Sequence, residues 1–380
     1  MAGLRICRDA GAPDGSGKGR MTSEIVRGSA EFLLFPLARV TGGSGLTAVE
    51  VVAVDLEAKD GTTGVGFTYC LRGGGAVVLA AARDLIDKAV IGQSAEAPAA
   101  LWRRMAATLN RLGRGAHYLA IAAVDLAIWD LHARRRGLPL GIALGGAPGS
   151  FPVYGSGGYT PNQSPEDAAR QARAHAEAGV RAVKLRLAGD RSDIARLRAV
   201  RDALPAGIDL MADANEKCDL ARAQWLARVC ADAGALWLEE PLPAGQVEAH
   251  LALARTSPVP IASGEHWQGT AEARPFIAAG ACAVVQPDLA AMGGVTECLR
   301  VAQLAEQFGV SVAPHFLPAL FVHLAAAAPN VTWLEDFPLL EPLLTSPAAI
   351  DKAGRMALPA APGHGLAWAP GARERYAVKS

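Results

Sequence analysis

The chain has 380 residues, 51% of them hydrophobic, which is ample for a sizeable core and excludes disorder as the main state. Its 37 basic and 37 acidic residues cancel to a net charge of zero, so neither nucleic acid nor an anionic membrane surface is an expected partner. The length suggests two to three domains of roughly 150 residues each, and 41 Gly with 24 Pro are too few for a collagen-like or low-complexity chain.

Residues 1–21 lack the apolar stretch of a signal peptide and are expected to be a flexible leader. Residues 22–148 read as an α+β domain. Ala48–Glu57 and Thr63–Tyr69 flank the turn Lys59-Asp60-Gly61, which is a hairpin signal. Ala76–Val90 and Ala99–Leu112 have helical apolar spacing. Tyr118–Arg135 is apolar on most faces, hence a largely buried helix. Phe35–Thr47 is expected to be a mobile Gly-rich loop. The six cysteines are scattered without a CxxC pair, the pattern of reduced, buried thiols in a cytoplasmic protein.

From residue 149 to 350 the texture is a regular alternation. Short β-rich runs begin near Val153, Ala182, Ile208, Leu236, Val259, Ala283, Val310 and Val331, most followed by a helical stretch such as Pro165–Ala178 or Val295–Phe308. Eight such units predict a (β/α)8-type barrel. Residues 351–380 are expected to pack back on the first domain. The 28 residues from Gln307 to Leu334 carry no Asp, Glu, Lys or Arg, but prolines interrupt them, so they predict a buried strand, turn and helix rather than a membrane span.

A parallel barrel gathers function at the carboxyl ends of its strands. Successive strands here end in Lys184 and Arg186, Asp213, Glu239, Glu265, Asp288, His315 and Glu335. A lone acid after a strand is ordinarily a helix cap, but seven consecutive strands each delivering an ionisable group to one rim point to a site. Asp213, Glu239 and Glu265 are hard oxygen ligands without Cys or His among them, a set suited to Mg2+ or Mn2+. Asp288 is placed to orient the imidazole of His315, a candidate base.

The chain resembles the mandelate racemase subgroup of the enolase superfamily over nearly its whole length. The likeness rests on these rim residues and their spacing, on Ala123-Val124-Asp125-Leu126-Ala127-Ile128-Trp129-Asp130, and on Gly137-Leu138-Pro139 with Leu144-Gly145-Gly146. The resemblance implies a barrel of the modified (β/α)7β kind beneath an N-terminal α+β capping domain. It also implies one Mg2+ held by Asp213, Glu239 and Glu265, with Glu239 rather than Glu240 as ligand, and Asn215 near the substrate. Lys184 matches the first lysine of the family's Lys-x-Lys motif, Asp288 and His315 its dyad, and Glu335 a protonated acid that hydrogen-bonds the developing enolate.

Arg186 departs from the pattern, since it stands where the family has a second lysine base, and arginine stays protonated at neutral pH. One base suits β-elimination better than racemisation, so the expected reaction is dehydration of a sugar acid or other hydroxy acid to a 2-keto acid. The alternatives are a racemase, epimerase or cycloisomerase, and more remotely a non-catalytic metal-binding scaffold. Arg39, Tyr159 and His266 are candidate substrate contacts, with Tyr69 as a further residue lining the pocket. The expected partner is a small carboxylate substrate, in a homo-oligomer.

Overall fold

The computed structural model describes residues 22–378 apart from 42–44, 72 and 341. The expected leader lies outside the described residues. The first domain opens with an antiparallel three-stranded sheet, β1 (Ile25–Thr41), β2 (Leu46–Ala58) and β3 (Thr63–Cys70). Alternation along β1 and β2 places Leu33 opposite Val51 and Phe35 opposite Val49, all four buried. β1 runs on to Thr41, so most of the segment expected as a loop is strand. The sheet packs on α1 (Gly75–Leu85), α2 (Pro98–Ala106) and the largely buried α3 (Ala116–Arg135).

The second sheet is parallel, with β4 (Ser150–Gly155), β5 (Ala182–Arg186), β6 (Asp209–Asp213), β7 (Ala235–Glu239), β8 (Ile261–Ser263), β9 (Val284–Val285) and β10 (Ser311–Val312) in chain order. The last strand, β11 (Leu334–Asp336), pairs with β4, while a parallel bridge between Val312 and Val331 joins its leading residues to β10. The eight strands thus close on themselves, as eight βα units require.

Period-two alternation sorts the side chains. Ala182, Met211 and Trp237 fill the barrel floor with Tyr154, while Val183, Leu185, Leu210 and Leu238 face the outer helices. The same phase carries Lys184, Arg186, Asp213 and Glu239 inward one step higher, at the mouth. The uncharged stretch resolves into β10, the helix Pro318–Ala327 and β11. No helix among the described residues is long and apolar enough to cross a membrane.

The first domain seats on the barrel through buried polar contacts. Asp125 of α3 accepts the backbone N–H and hydroxyl of Thr296 at 2.9 and 2.7 Å, and Trp102 Nε1 donates to the Gly293 carbonyl at 2.8 Å. The end of the chain returns to the first sheet, where Val378 N–H donates to Phe32 at 2.9 Å and Arg373 pairs with Asp55 at 2.7 Å.

Candidate active site

The turns that follow three barrel strands hold non-glycine residues in the left-handed region: Asn215 and Glu216 after β6, Glu240 after β7, Phe316 and Leu317 after β10. Such conformations cost energy and persist where surrounding contacts impose them, often at functional sites. Here each turn directly follows or contains a residue of the ionisable rim.

Lys184 lies at the centre. Its Nζ donates to Glu239 Oε1 at 2.5 Å and to Glu335 Oε1 at 2.8 Å, and stands 3.9 Å from Asp213. Burial disfavours its charge, but Glu239 and Glu335 overcome this and hold the ammonium well above its ordinary value. Arg186 reaches Asp213 Oδ2 at 3.3 Å; burial opposes its charge too, yet the carboxylates around it, Asp213 first, keep it raised. The buried Arg196 fixes this strand end by donating to the Arg186 carbonyl at 2.5 Å.

Asp288 and His315 form the dyad that the spacing predicts. His315 Nδ1 lies 2.8 Å from Asp288 Oδ2, which leaves Nε2 directed toward Glu265, 3.7 Å from its Oε2. Asp288 also caps the next helical turn, its Oδ1 accepting from Ala291 N–H at 2.8 Å. Burial works against the imidazolium, but Glu265, the hydrogen bond to Asp288 and then Glu335 raise His315 to about 10.

Burial favours the neutral form of Glu335, yet Lys184, His315 and a 2.9 Å hydrogen bond from Phe316 N–H bring it down to about 2. Glu239 moves the other way. Burial raises it to about 7 against the pull of Lys184, with Asp213, Glu335 and Glu265 adding repulsion. Gln286 Nε2 donates to Glu239 Oε2 at 2.6 Å and Trp237 Nε1 at 3.3 Å.

The crowded carboxylates fit a divalent cation. Asp213 Oδ2 is buried and no hydrogen bond satisfies it, Glu265 is only 13% exposed at its side chain, and all three donors are hard oxygens. The backbone N–H of Asn215 donates to Asp213 Oδ1 at 2.9 Å, and its own Oδ1 is buried without a hydrogen-bond partner. His266 sits half-exposed on the rim and is raised to about 9, chiefly by its hydrogen bond to the buried Glu240.

Tyr159 is not brought to the mouth. It is 1% exposed, stacks on His175 and packs among the apolar residues outside the barrel wall. The side chain of Arg39 lies outside the described residues. Tyr69, by contrast, reaches Asp288 directly, its hydroxyl donating to Oδ2 at 2.5 Å. Nothing in the local sequence marks that contact, which joins residues 219 positions apart. Gln286 directly follows β9, so its place at a strand's carboxyl end is the signal that could mark it.

Residues 37–145 match the family model of the mandelate racemase / muconate lactonizing enzyme N-terminal domain, and residues 167–372 that of the enolase C-terminal domain-like fold. The L-talarate/galactarate dehydratase of Salmonella typhimurium is 33% identical over 82% of this chain and 78% of its own. The 3,6-anhydro-alpha-L-galactonate cycloisomerase of Streptomyces coelicolor is 32% identical over 83% of this chain and 88% of its own. Among solved structures, the L-talarate dehydratase of Polaromonas sp. JS666, complexed with Mg and L-glucarate, superposes with a TM-score of 0.88. It is 34% identical, with 94% of this chain and 98% of that one covered.

Proposed function

The chain belongs to the mandelate racemase / muconate lactonizing enzyme family of the enolase superfamily, and from that premise we propose that it is a Mg2+-dependent sugar-acid dehydratase. The observation that carries the reading is the Asp288–His315 dyad beside three converging carboxylates, with an arginine where a second base would stand. The relatives named as dehydratases of talarate, galactarate, arabinonate and galactonate support it.

Asp213, Glu239 and Glu265 would hold the cation, whose Lewis acidity withdraws charge from the substrate carboxylate and makes the adjacent C–H acidic enough to lose its proton. Asp288 holds His315 Nδ1, so the proton is taken at Nε2. Glu265, the charge that raises His315 most, is one of the carboxylates that would hold the cation. Lys184 supplies fixed positive charge beside the site, where excluded water makes it more effective than in solution. Once charged, His315 is the acid that protonates the departing β-hydroxyl. The C–H and C–O bonds break, water leaves, and the resulting enol becomes a 2-keto acid. Asn215 and His266 are proposed contacts for substrate oxygens, and the substrate is a small carboxylate.

The test is 2-keto acid formation across a panel of acid sugars with Mg2+ present, together with α-hydrogen exchange in deuterated water. His315→Asn is expected to lower both by about 10²–10⁴-fold, the usual contribution of a positioned base. Full turnover in His315→Asn with none in Arg186→Met would overturn the base assignment. The cycloisomerase relatives favour a second reading: an isomeric product formed without loss of water would establish an isomerase in place of a dehydratase.

A further inference from the structure

We propose that Tyr69, carried by the first domain rather than the barrel, is a positioning residue for the Asp288–His315 dyad, so that seating of the cap sets the geometry of the base. The inference rests on the proposed role of His315 and adds to it a residue from a different domain.

Tyr69 sits on β3 opposite Val51 and is 3% exposed. Its hydroxyl donates to Asp288 Oδ2, the same oxygen that pairs with His315 Nδ1. With Ala291 N–H on Oδ1, the carboxylate receives three donors from three segments of chain and has no rotational freedom left. A carboxylate oxygen accepts two hydrogen bonds through its two lone pairs, so Tyr69 and His315 need not compete for it. Burial holds the phenol well above its ordinary value, so it remains a donor and adds no charge.

Tyr69 also bears on the base from a second side. Its ring meets Phe316 edge-on with centroids 4.9 Å apart, and Phe316 in turn packs edge-on against His315 at 5.0 Å. Phe316 lies in the left-handed region, where a bulky side chain needs its neighbours to hold it. The hydroxyl therefore anchors the orienting carboxylate while the ring buttresses the strained turn that carries the imidazole. Hydrogen-bond partners that orient a functional histidine through a carboxylate commonly matter by 10–100-fold.

Tyr69→Phe isolates the hydroxyl, because the ring and its contact with Phe316 remain. Turnover is expected to fall about 10–100-fold with KM and the thermal midpoint nearly unchanged, and the primary deuterium isotope effect on α-hydrogen removal should rise. In an Asp288→Asn background, whose activity is already reduced, Tyr69→Phe should add no further loss. Phe67→Leu, which disturbs the same strand without touching Asp288, should lower the thermal midpoint while sparing turnover at a permissive temperature. Wild-type turnover in Tyr69→Phe, or an equal further loss in the Asp288→Asn background, would overturn the inference. Full turnover in His315→Asn would instead overturn the function on which it rests.

Discussion

Lys184 and Glu335 face each other from β5 and β11 as an ion pair sealed from water, Nζ to Oε1 2.8 Å, with 2% and 3% of their side chains exposed. The pair sits under the same mouth that receives the substrate. Removing one partner from a buried pair strands the other charge at a cost of about 3–5 kcal/mol. Lys184→Met strands both Glu335 and Glu239, so it is expected to destabilise more than Glu335→Gln, which keeps the Lys184–Glu239 contact. Urea midpoints of the metal-free proteins decide the order, and equal loss in the two variants would contradict it.

Asp213 Oδ2, which accepts no hydrogen bond, and the mutual repulsion of Asp213, Glu239 and Glu265 predict that Mg2+ binds the folded state alone. Stability should then rise with ion concentration, by about 2.7 kcal/mol at a hundred times the dissociation constant. Thermal melts over a Mg2+ series provide the measurement. Asp213→Asn and Glu265→Gln should each flatten the response; an undiminished rise in both would place the cation elsewhere.

His323 gives the protein a stability term that is lost in acid. The ring accepts the Gly141 N–H on Nδ1 and meets the His364 carbonyl with Nε2, both at 3.0 Å, and burial lowers it to about 4. The unfolded chain takes up a proton near the ordinary value of about 6.5, so the contribution is present above that pH and fades as pH falls toward 4. At pH 5 the loss amounts to about 2 kcal/mol. His323→Gln, whose amide can accept and donate in the same places, should unfold with a weaker dependence on pH between 7 and 5, read from denaturant midpoints.

Gly66 permits the close approach of β3 to α3 on which the placement of Tyr69 depends. A Cβ at this position would stand 2.1 Å from the Ala123 carbonyl oxygen and 2.5 Å from Ala127 N. Both are backbone atoms of a helix and cannot give way. Gly66→Ala is therefore expected to cost about 1–3 kcal/mol or more and, by shifting β3, to lower turnover as well. A variant of native stability would show that the sheet can move off the helix without cost.

The eight-unit alternation, the hairpin and the rim residues were legible because each is a local pattern. Alternation of period two and helical spacing survive in the linear order, and a closed parallel barrel converts strand ends into one rim. Asp288 and His315 could be paired from their positions on neighbouring strands alone. Phe35–Thr41 is strand where glycines nearby suggest a loop, because Phe35 is buried opposite Val49 of the second strand. Tyr159 was misplaced for a related reason: following a strand does not settle which side of the wall a ring packs on.

What the sequence determined by itself was the architecture and the row of ionisable residues along one rim of the barrel, since these follow from residue type and spacing. The charge states were decided by tertiary structure. Zero net charge over 380 residues said nothing of a site whose buried charges push Glu335 down and His315 up. Both outcomes depend on which charges burial brings within a few ångströms, where low dielectric magnifies them. The hydroxyl of Tyr69 on Asp288 is of the same kind, because only the seating of one domain on another brings those two residues together.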